Sequence, residues 1–418
     1  MTGHSTRPMR VVASSETARE INRDIILHTI HRHQPVSRAD LARLTGLQAS
    51  TVSVIVGQLI DEGWVLPGTL GRLPRGRRPT FVTLNDKHVM LGIDLRPGKA
   101  NLALVDINGN LLNRETLTFS GSGDLKLDAT KAMRQLARSA RSVRTASRGK
   151  LFDGVGISVS GRVDQETHRI LFSPNAPWGQ VELYKQFEAV LGGTIEMDNA
   201  ANASLFAERW FGEFRGASNL MTVSVSEGLG TGLLVDGRLL RGGGGMAGEF
   251  GHMPFDDAGP LCACGNAGCW ETFASNRAAL RYYQELVPET HHMSFQQLLD
   301  LAKVGDIRAL RAIDRMTTCL ARGLAMLVAG LSPDVIIIVG DCTALWSRMC
   351  PIIESHLIAK SITSRIPRVV PAVDGDVARI RGAAALVLHK TLFRRNDFDS
   401  QSLDEGPSAN ISYASRSL

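Results

Sequence analysis

The sequence predicts a small helical head carrying a β wing, followed by an α/β unit of two lobes with a cleft between them. Three observations carry that expectation. The first eighty residues read as three short helices and a hairpin, and they hold most of the basic excess of the chain. The remainder shows a similar order of hairpin, strand and helix twice, and its second half contains a dense cysteine and histidine cluster, Gly248 to Glu271.

In the head, Ile21, Ile25, Ile26 and Ile30 recur among polar residues without Gly or Pro, so residues 17–33 form a first helix that Pro35 closes. Ser37 then stands as N-cap with Asp40 three residues on, and Leu41 and Leu44 make a short second helix ending at Gly46. Val52, Ile55, Val56, Leu59 and Ile60 repeat at helical spacing in a third, which Gly63 ends. Strands at Trp64 to Leu66 and Pro79 to Leu84 follow, and the loop between them carries Arg72, Arg75, Arg77 and Arg78. This order is that of a winged helix-turn-helix, all-α with a small β wing.

The recognition helix of that architecture puts the side chains near its N-terminus into the major groove of double-stranded DNA. Here those are Gln48, Ala49, Ser50, Thr51 and Ser53. Apart from Gln48 none makes a strong bidentate base contact, so direct readout is modest and the wing arginines supply salt-dependent phosphate or minor-groove affinity. Charge agrees with this division of labour. Residues 1–80 contain 11 arginines, no lysine and 6 acidic residues, an excess of 5 out of a net charge of +6 for all 418 residues.

The whole chain is 44% hydrophobic and 21% charged, enough to bury a large core. Met1 to Arg10 lacks the apolar core of a signal peptide, and the apolar stretch Leu324 to Val339 is interrupted by Ser332, Pro333 and Asp334. No membrane insertion and a cytoplasmic address are the expectation. Scattered cysteines at 319, 342 and 350 agree with a reducing compartment.

From Val89 the pattern becomes strand-like, with Leu91 to Leu95 and Ala100 to Val105, and an Asn108-Gly109 turn before Leu111. A helix at about Leu127 to Val143, a strand Val155 to Val159 and a helix opened by Asp198 to Ala203 complete the first set. The second set has a hairpin, Leu220 to Val225 and Gly232 to Val235, joined by Gly228, Gly230 and Gly232, and a buried strand Val335 to Val339. Between them lies the cluster. His252, Cys262, Cys264 and Cys269 are soft or borderline donors suited to one tetrahedral zinc, with Gly265 and Gly268 allowing the tight folding such a site needs. Three buried free thiols and an ordinary histidine are the alternative. Glu249 and Glu271 bracket the cluster, so a closed metal site holds both carboxylates in place.

Residues 17 to about 390 resemble the ROK family of sugar kinases and sugar-responsive transcriptional repressors, through the Gly248 to Glu271 knot, Asp94, Asn199 to Asn202, Gly228 to Gly232 and Gly340. The resemblance implies an actin-like, hexokinase-like pair of lobes, and a repressor, because the kinases lack the winged head. It implies residues 1–16 as a flexible N-terminus, 17–85 as the DNA-binding domain and 88–390 as the ROK domain. Lobe one takes about 88–200 plus a C-terminal helix at about 378–390, lobe two takes about 201–377, and 391–418, rich in Ser, Asp and Asn, is a disordered tail.

Residue by residue, the kinases of the family follow the first-strand aspartate with Gly-Gly-Thr-Lys, whereas this chain has Asp94-Leu95-Arg96-Pro97-Gly98-Lys99. Arginine and proline there keep backbone away from a phosphate, and Glu227 ahead of the second glycine loop repels one. The kinase Asn-Asp-Ala-Asn run reads Asn199-Ala200-Ala201-Asn202, so a methyl group replaces the catalytic base; a one-residue slip assigns that role to Asp198 instead. The sugar-facing positions Asn199, Glu249, His252 and Glu271 are retained, Gly161 and Asn175 join them, and Trp178 or Trp270 covers a sugar ring face.

The expectation is therefore a non-enzymatic repressor of carbohydrate genes, binding an operator as a homodimer or homotetramer. Its structural zinc shapes the pocket for a sugar or sugar-derivative effector. A hinge near Val82 to His88 transmits the response. A kinase that kept ATP-dependent activity, and a repressor controlled by a protein partner, are the alternatives.

Overall fold

The computed structural model describes residues 15–70, 80–119, 125–173, 177–214, 217–290, 293–360, 366–372, 375 and 377–392. Arg72, Arg75, Arg77, Arg78 and Asn175 lie outside these residues, as do 1–14 and 393–418 of the two terminal segments.

The head begins with α1 (Ser15–His33), α2 (Arg38–Thr45) and α3 (Ala49–Asp61). Ser37 Oγ accepts from the Asp40 amide at 3.1 Å and donates to the Asp40 carboxylate at 2.7 Å, which caps α2. Gly46 ends that helix with φ +72°, a value that favours glycine in the turn between α2 and α3. Ile26, Leu27, Ile30, Leu41, Val52, Val56 and Leu59 are fully buried together. The wing is β2 (Val65–Leu70) against β3 (Thr80–Leu84), and β3 also pairs with β1 (Val36–Ser37), a two-residue strand that periodicity does not reveal.

The lobes repeat one topology. In the first, β4 (His88–Arg96), β5 (Lys99–Asp106) and β6 (Leu111–Thr118) form an antiparallel meander, and β7 (Leu151–Val159) and β10 (Thr194–Asn199) add parallel strands on the other side of β4. In the second, β11 (Leu220–Val225), β12 (Leu229–Val235) and β13 (Arg238–Leu239) form the meander, with β14 (Val335–Val339) and β15 (Arg368–Pro371) as the parallel additions. The sheets are β6-β5-β4-β7-β10 and β13-β12-β11-β14-β15, the same order twice. The helix expected from Asp198 to Ala203 is α6 (Ala200–Phe211), capped by Asn199, while Asp198 and Asn199 themselves end the edge strand β10, and Gly230 and Gly232 lie within β12.

Two helices lie between the sheets, α6 (Ala200–Phe211) and α12 (Ala378–Leu392), and α6 meets β11 and β12 while α12 covers β4, β7 and β10. Outside the first sheet sit α4 (Leu125–Thr145) and α5 (Leu183–Leu191); outside the second sit α8 (Asn276–Leu286), α9 (Phe295–Lys303), α10 (Ile307–Leu331) and α11 (Trp346–Lys360). No helix among the described residues is long and apolar enough to cross a membrane. The central layer is tight: a Cβ added at Gly382 of α12 falls 2.2 Å from the Ala203 carbonyl oxygen of α6. Gly382→Ala is therefore expected to lower stability by about 2 kcal/mol through forced separation of these helices, measured by urea unfolding.

The head packs on this layer. Ile21 and Ile25 remain 50% and 39% exposed, off the head core, and line a cavity of about 490 Å³ between α1 and α6 with Asp24, His28, Arg209 and Trp210. Burial pushes the Asp24 carboxyl up to about 7, Glu20 repulsion adds to it, and Arg23 and Arg209 oppose it. A carboxyl raised from about 3.9 in the unfolded chain favours folding below that pH and loses the benefit as pH rises toward 7. Asp24→Asn is expected to flatten that dependence and to raise the melting temperature at pH 8 by roughly 3 °C. Unchanged melting curves across pH 4 to 8 contradict it.

Candidate functional site

On the outer face of α3, Gln48, Ala49, Ser50 and Ser53 are exposed and Thr51 is half-buried, because the Val52, Ile55, Val56 and Leu59 stripe turns the opposite face into the head core. Val54, 58% exposed, joins them. Sequence reasoning passed over it, although its place off the apolar stripe marked it as outward-facing, where a branched methyl side chain suits a thymine methyl.

The cleft between the lobes is lined by Ser160, Gly161, Arg162 and Asn199 to Ala201 from the first lobe side, and by Ser226 to Thr231, Gly248, Glu249, His252 and Glu271 from the second. Thus Asn199, Glu249, His252, Glu271 and Gly161 share one concavity. Asn199 ends β10 and caps α6, its side-chain oxygen accepting from the Asn202 amide at 2.8 Å, which leaves its NH2 group for a ligand. Glu249 Oε2 lies 3.8 Å from His252 Nε2; burial pushes the Glu249 carboxyl up while His252 and Arg162 pull it down. Glu271 opens α7 (Glu271–Ala274), accepts from the Leu229 amide at 3.3 Å and from the Cys262 thiol at 2.9 Å, and so joins the cysteine knot to the β11–β12 turn. Gly161, φ +155°, is required by packing, since a Cβ there falls 2.4 Å from the Phe172 carbonyl oxygen of β9 (Ile170–Phe172), which pairs with β8 (Arg162–Val163).

Trp178 and Trp270 do not reach the cleft. Both are fully buried, Trp178 Nε1 donating to the Arg96 carbonyl at 3.4 Å and Trp270 Nε1 to the Cys319 carbonyl at 2.9 Å. Phe172 does line the cleft, edge-on to His252 at 6.0 Å between centroids. Asp198 is likewise withdrawn. It is 2% exposed, accepts from the Asn199 amide and the Asn202 side chain at 2.7 and 3.0 Å, and pairs with Arg241 at 2.9 Å. Ala200 lines the cleft in its stead.

Beside the cleft, at the end of β4, lies a buried charge cluster. Arg96 Nε is 2.8 Å from Asp94 Oδ2 and its Nη1 is 3.1 Å from Asp341 Oδ2 in the turn after β14, so this side chain ties one lobe to the other. Arg379 of α12 pairs with Asp94 at 2.8 Å and donates to Ser160 Oγ at 3.1 Å. Burial raises the Asp94 carboxyl, but Arg379 and Arg96 outweigh it and hold it below the usual range. A depressed carboxyl stabilises above about pH 3.9 and loses that contribution as pH falls through its folded value. Asp94→Asn leaves two buried guanidiniums with one remaining carboxylate partner and is expected to destabilise the protein by about 3 kcal/mol in urea unfolding at pH 7.

In the knot, the donor atoms of His252, Cys262, Cys264 and Cys269 all lie within 4.8 Å of one another. Cys262 Sγ is 3.5 Å from His252 Nδ1 and Cys264 Sγ is 3.6 Å from Cys269 Sγ. Tetrahedral bonds of about 2.3 Å to sulfur and 2.1 Å to nitrogen give edges of about 3.6–3.8 Å, so these pairs already stand at cation-binding separations. Burial pushes the Cys262 and Cys269 thiols up, the latter to about 11; a soft divalent cation supplies the charge that thiolates need there. The residues fit such an ion.

These features have counterparts among known proteins. The ROK family model matches residues 90–390. The chain belongs to the ROK family. Ahead of its ROK domain, residues 25–78 match the MarR family model, within the winged head. The chain is 31% identical over 358 residues to the xylose repressor of Bacillus subtilis (strain 168), covering 85% of this chain and 88% of that one. With the glucokinase of Thermotoga maritima it shares 30% identity over 320 residues, 71% of this chain and 96% of the kinase. A solved ROK family transcriptional regulator, described as a homolog of the E. coli MLC protein, superposes with a TM-score of 0.72 at 24% identity, over 90% of this chain and 97% of that one, which speaks to the shared fold. A ROK glucokinase from Streptomyces griseus, solved with glucose and AMPPNP, gives 0.63 at 26% identity over 71% and 98%.

Proposed function

We propose that this ROK protein is a transcriptional repressor of carbohydrate uptake or catabolism genes, released from its operator by a sugar bound between the lobes. One observation carries the reading most: a chain with a DNA-binding head keeps Asn199, Glu249, His252 and Glu271 around one cleft while Ala200, not a carboxylate, faces it beside them. The repressor relative names xylose, so D-xylose is the first effector to test. The amide and carboxylates match sugar hydroxyls, and Phe172 supplies the apolar surface. Glu227 also lines the cleft, where it disfavours a nucleotide phosphate.

The knot is read as one structural zinc held by His252, Cys262, Cys264 and Cys269. It positions Glu249, His252 and Glu271 and takes no part in a reaction. Residues 17–85 act as the DNA-binding domain and 88–390 as the sensor, with Gln48 to Thr51 and Ser53 in the major groove and Arg72, Arg75, Arg77 and Arg78 on phosphates. The protein works in the cytoplasm as a homodimer or homotetramer on a two-fold operator. Differential affinity of the sugar for two lobe arrangements supplies the switch.

The test is a mobility shift with an operator selected from random duplexes, with and without D-xylose and D-glucose, alongside an ADP-release assay on the same sugars. Sugar-dependent release without ADP supports the reading. Turnover that Glu249→Ala abolishes contradicts it.

A further inference from the structure

The helix that opens in the sugar cleft closes against the DNA-binding head. Asn199 and Ala200, at the N-terminal end of α6, line the cleft. Trp210 and Phe211, at its other end, meet the head: the Trp210 ring centroid lies 4.8 Å from His28 and 5.4 Å from His31, and Phe211 lies 6.2 Å from His31. Twelve residues of α-helix span about 18 Å. One rigid element therefore touches both functional regions.

Its sides are held as a rod needs. Close approach to α12 at Gly382 and the Thr222 hydroxyl donating to the Ala201 carbonyl at 2.8 Å fix the helix between the sheets. Trp210 Nε1 donates to the Ile107 carbonyl at 3.3 Å, and a Cβ on Gly109 falls 2.8 Å from the Phe211 ring. Head and helix also share one apolar core, in which Ile26, Leu27 and Ile30 of α1 join Phe206 and Trp210. A packed core of this kind transmits a displacement rather than absorbing it.

We propose that α6 is the mechanical link from effector to DNA: a sugar drawing on Asn199 displaces the helix together with the elements packed on it, and Trp210 and Phe211 move α1 through His28 and His31. The inference rests on the functional reading above and replaces the 82–88 linker as the principal route. Coupling through a rigid body needs contacts at both ends that change between the two states, and this helix makes contacts at both ends.

The test measures operator affinity of the full chain, with and without saturating D-xylose, for the parent protein, His28→Ala and Trp210→Phe. His28 is half-buried and Trp210→Phe keeps an aromatic ring, so both variants are chosen to preserve folding, checked by their melting curves and by sugar binding in calorimetry. In the parent, D-xylose weakens operator binding by about 30-fold or more; in each variant that factor falls below about 5-fold while sugar affinity and sugar-free operator affinity change by less than about 3-fold. A responsive parent whose folded variants respond equally overturns the link alone. A parent that responds to no sugar overturns the functional reading and the link with it.

Discussion

Glu249→Ala moves the sugar response to roughly 10–150-fold higher sugar while leaving sugar-free operator binding intact. The carboxylate borders the cleft beside His252 and is partly buried there, so a hydroxyl it accepts is bound by a charge-assisted hydrogen bond. Loss of such a bond costs about 1.5–3 kcal/mol, or roughly 10–150-fold in sugar affinity. Calorimetry with D-xylose measures it. Because Glu249 sits outside the head and outside the fully buried cores, the melting temperature should stay within about 2 °C of the parent. Unchanged sugar affinity in the variant removes Glu249 from the effector site.

Metal removal has the second large effect. The knot holds two isolated strand bridges, Pro254 with Cys269 and Leu261 with Ala267, and its Cys262 contacts Glu271. Without the ion, four ligand side chains lose the charge that keeps the thiolates together, and the loop from Gly248 to Glu271 loses its anchor. A zinc chelator is expected to weaken sugar binding about 10–100-fold, with Cys262→Ser behaving alike, while the head, whose core does not include the knot residues, keeps its affinity for DNA at zero sugar. Metal analysis of the purified protein should show one zinc per chain, and sugar response should vanish at lower chelator concentration than DNA binding. Equal loss of both places the metal in general folding rather than in the pocket.

The head was legible because its helices obey a single apolar stripe and its caps, Ser37 and Gly46, are local signals. That periodicity placed Ile21 and Ile25 on α1 correctly, but an apolar position on a helix does not declare which of two bodies it faces; these two line the cavity shared with α6 and stay outside the head core. β10 escaped detection as an edge strand whose short alternation of buried Ile195 and Met197 ends in polar Asp198 and Asn199. The two sets of lobe strands were visible as a recurring order, although their identical sheet sequence emerges only from pairing. At the cleft, the metal cluster and its bracketing carboxylates were readable from spacing. Arg96 bridging to Asp341 and Arg241 covering Asp198 join residues far apart in the chain, and no local pattern announces them. The tryptophans illustrate the same limit. Trp270 fills the space above Gly323, where an added Cβ falls 2.0 Å from the indole, so size placed it in the core.

The most direct measurement is fluorescence anisotropy of a labelled selected operator titrated with the full chain, in the absence of any nucleotide, at zero and saturating D-xylose or D-glucose. The proposed function predicts that one sugar weakens operator binding by about 30-fold or more, and that operator DNA weakens binding of that sugar by the same factor, as linkage requires. Identical operator curves with every sugar, or a response that appears only when ATP is added, contradict it.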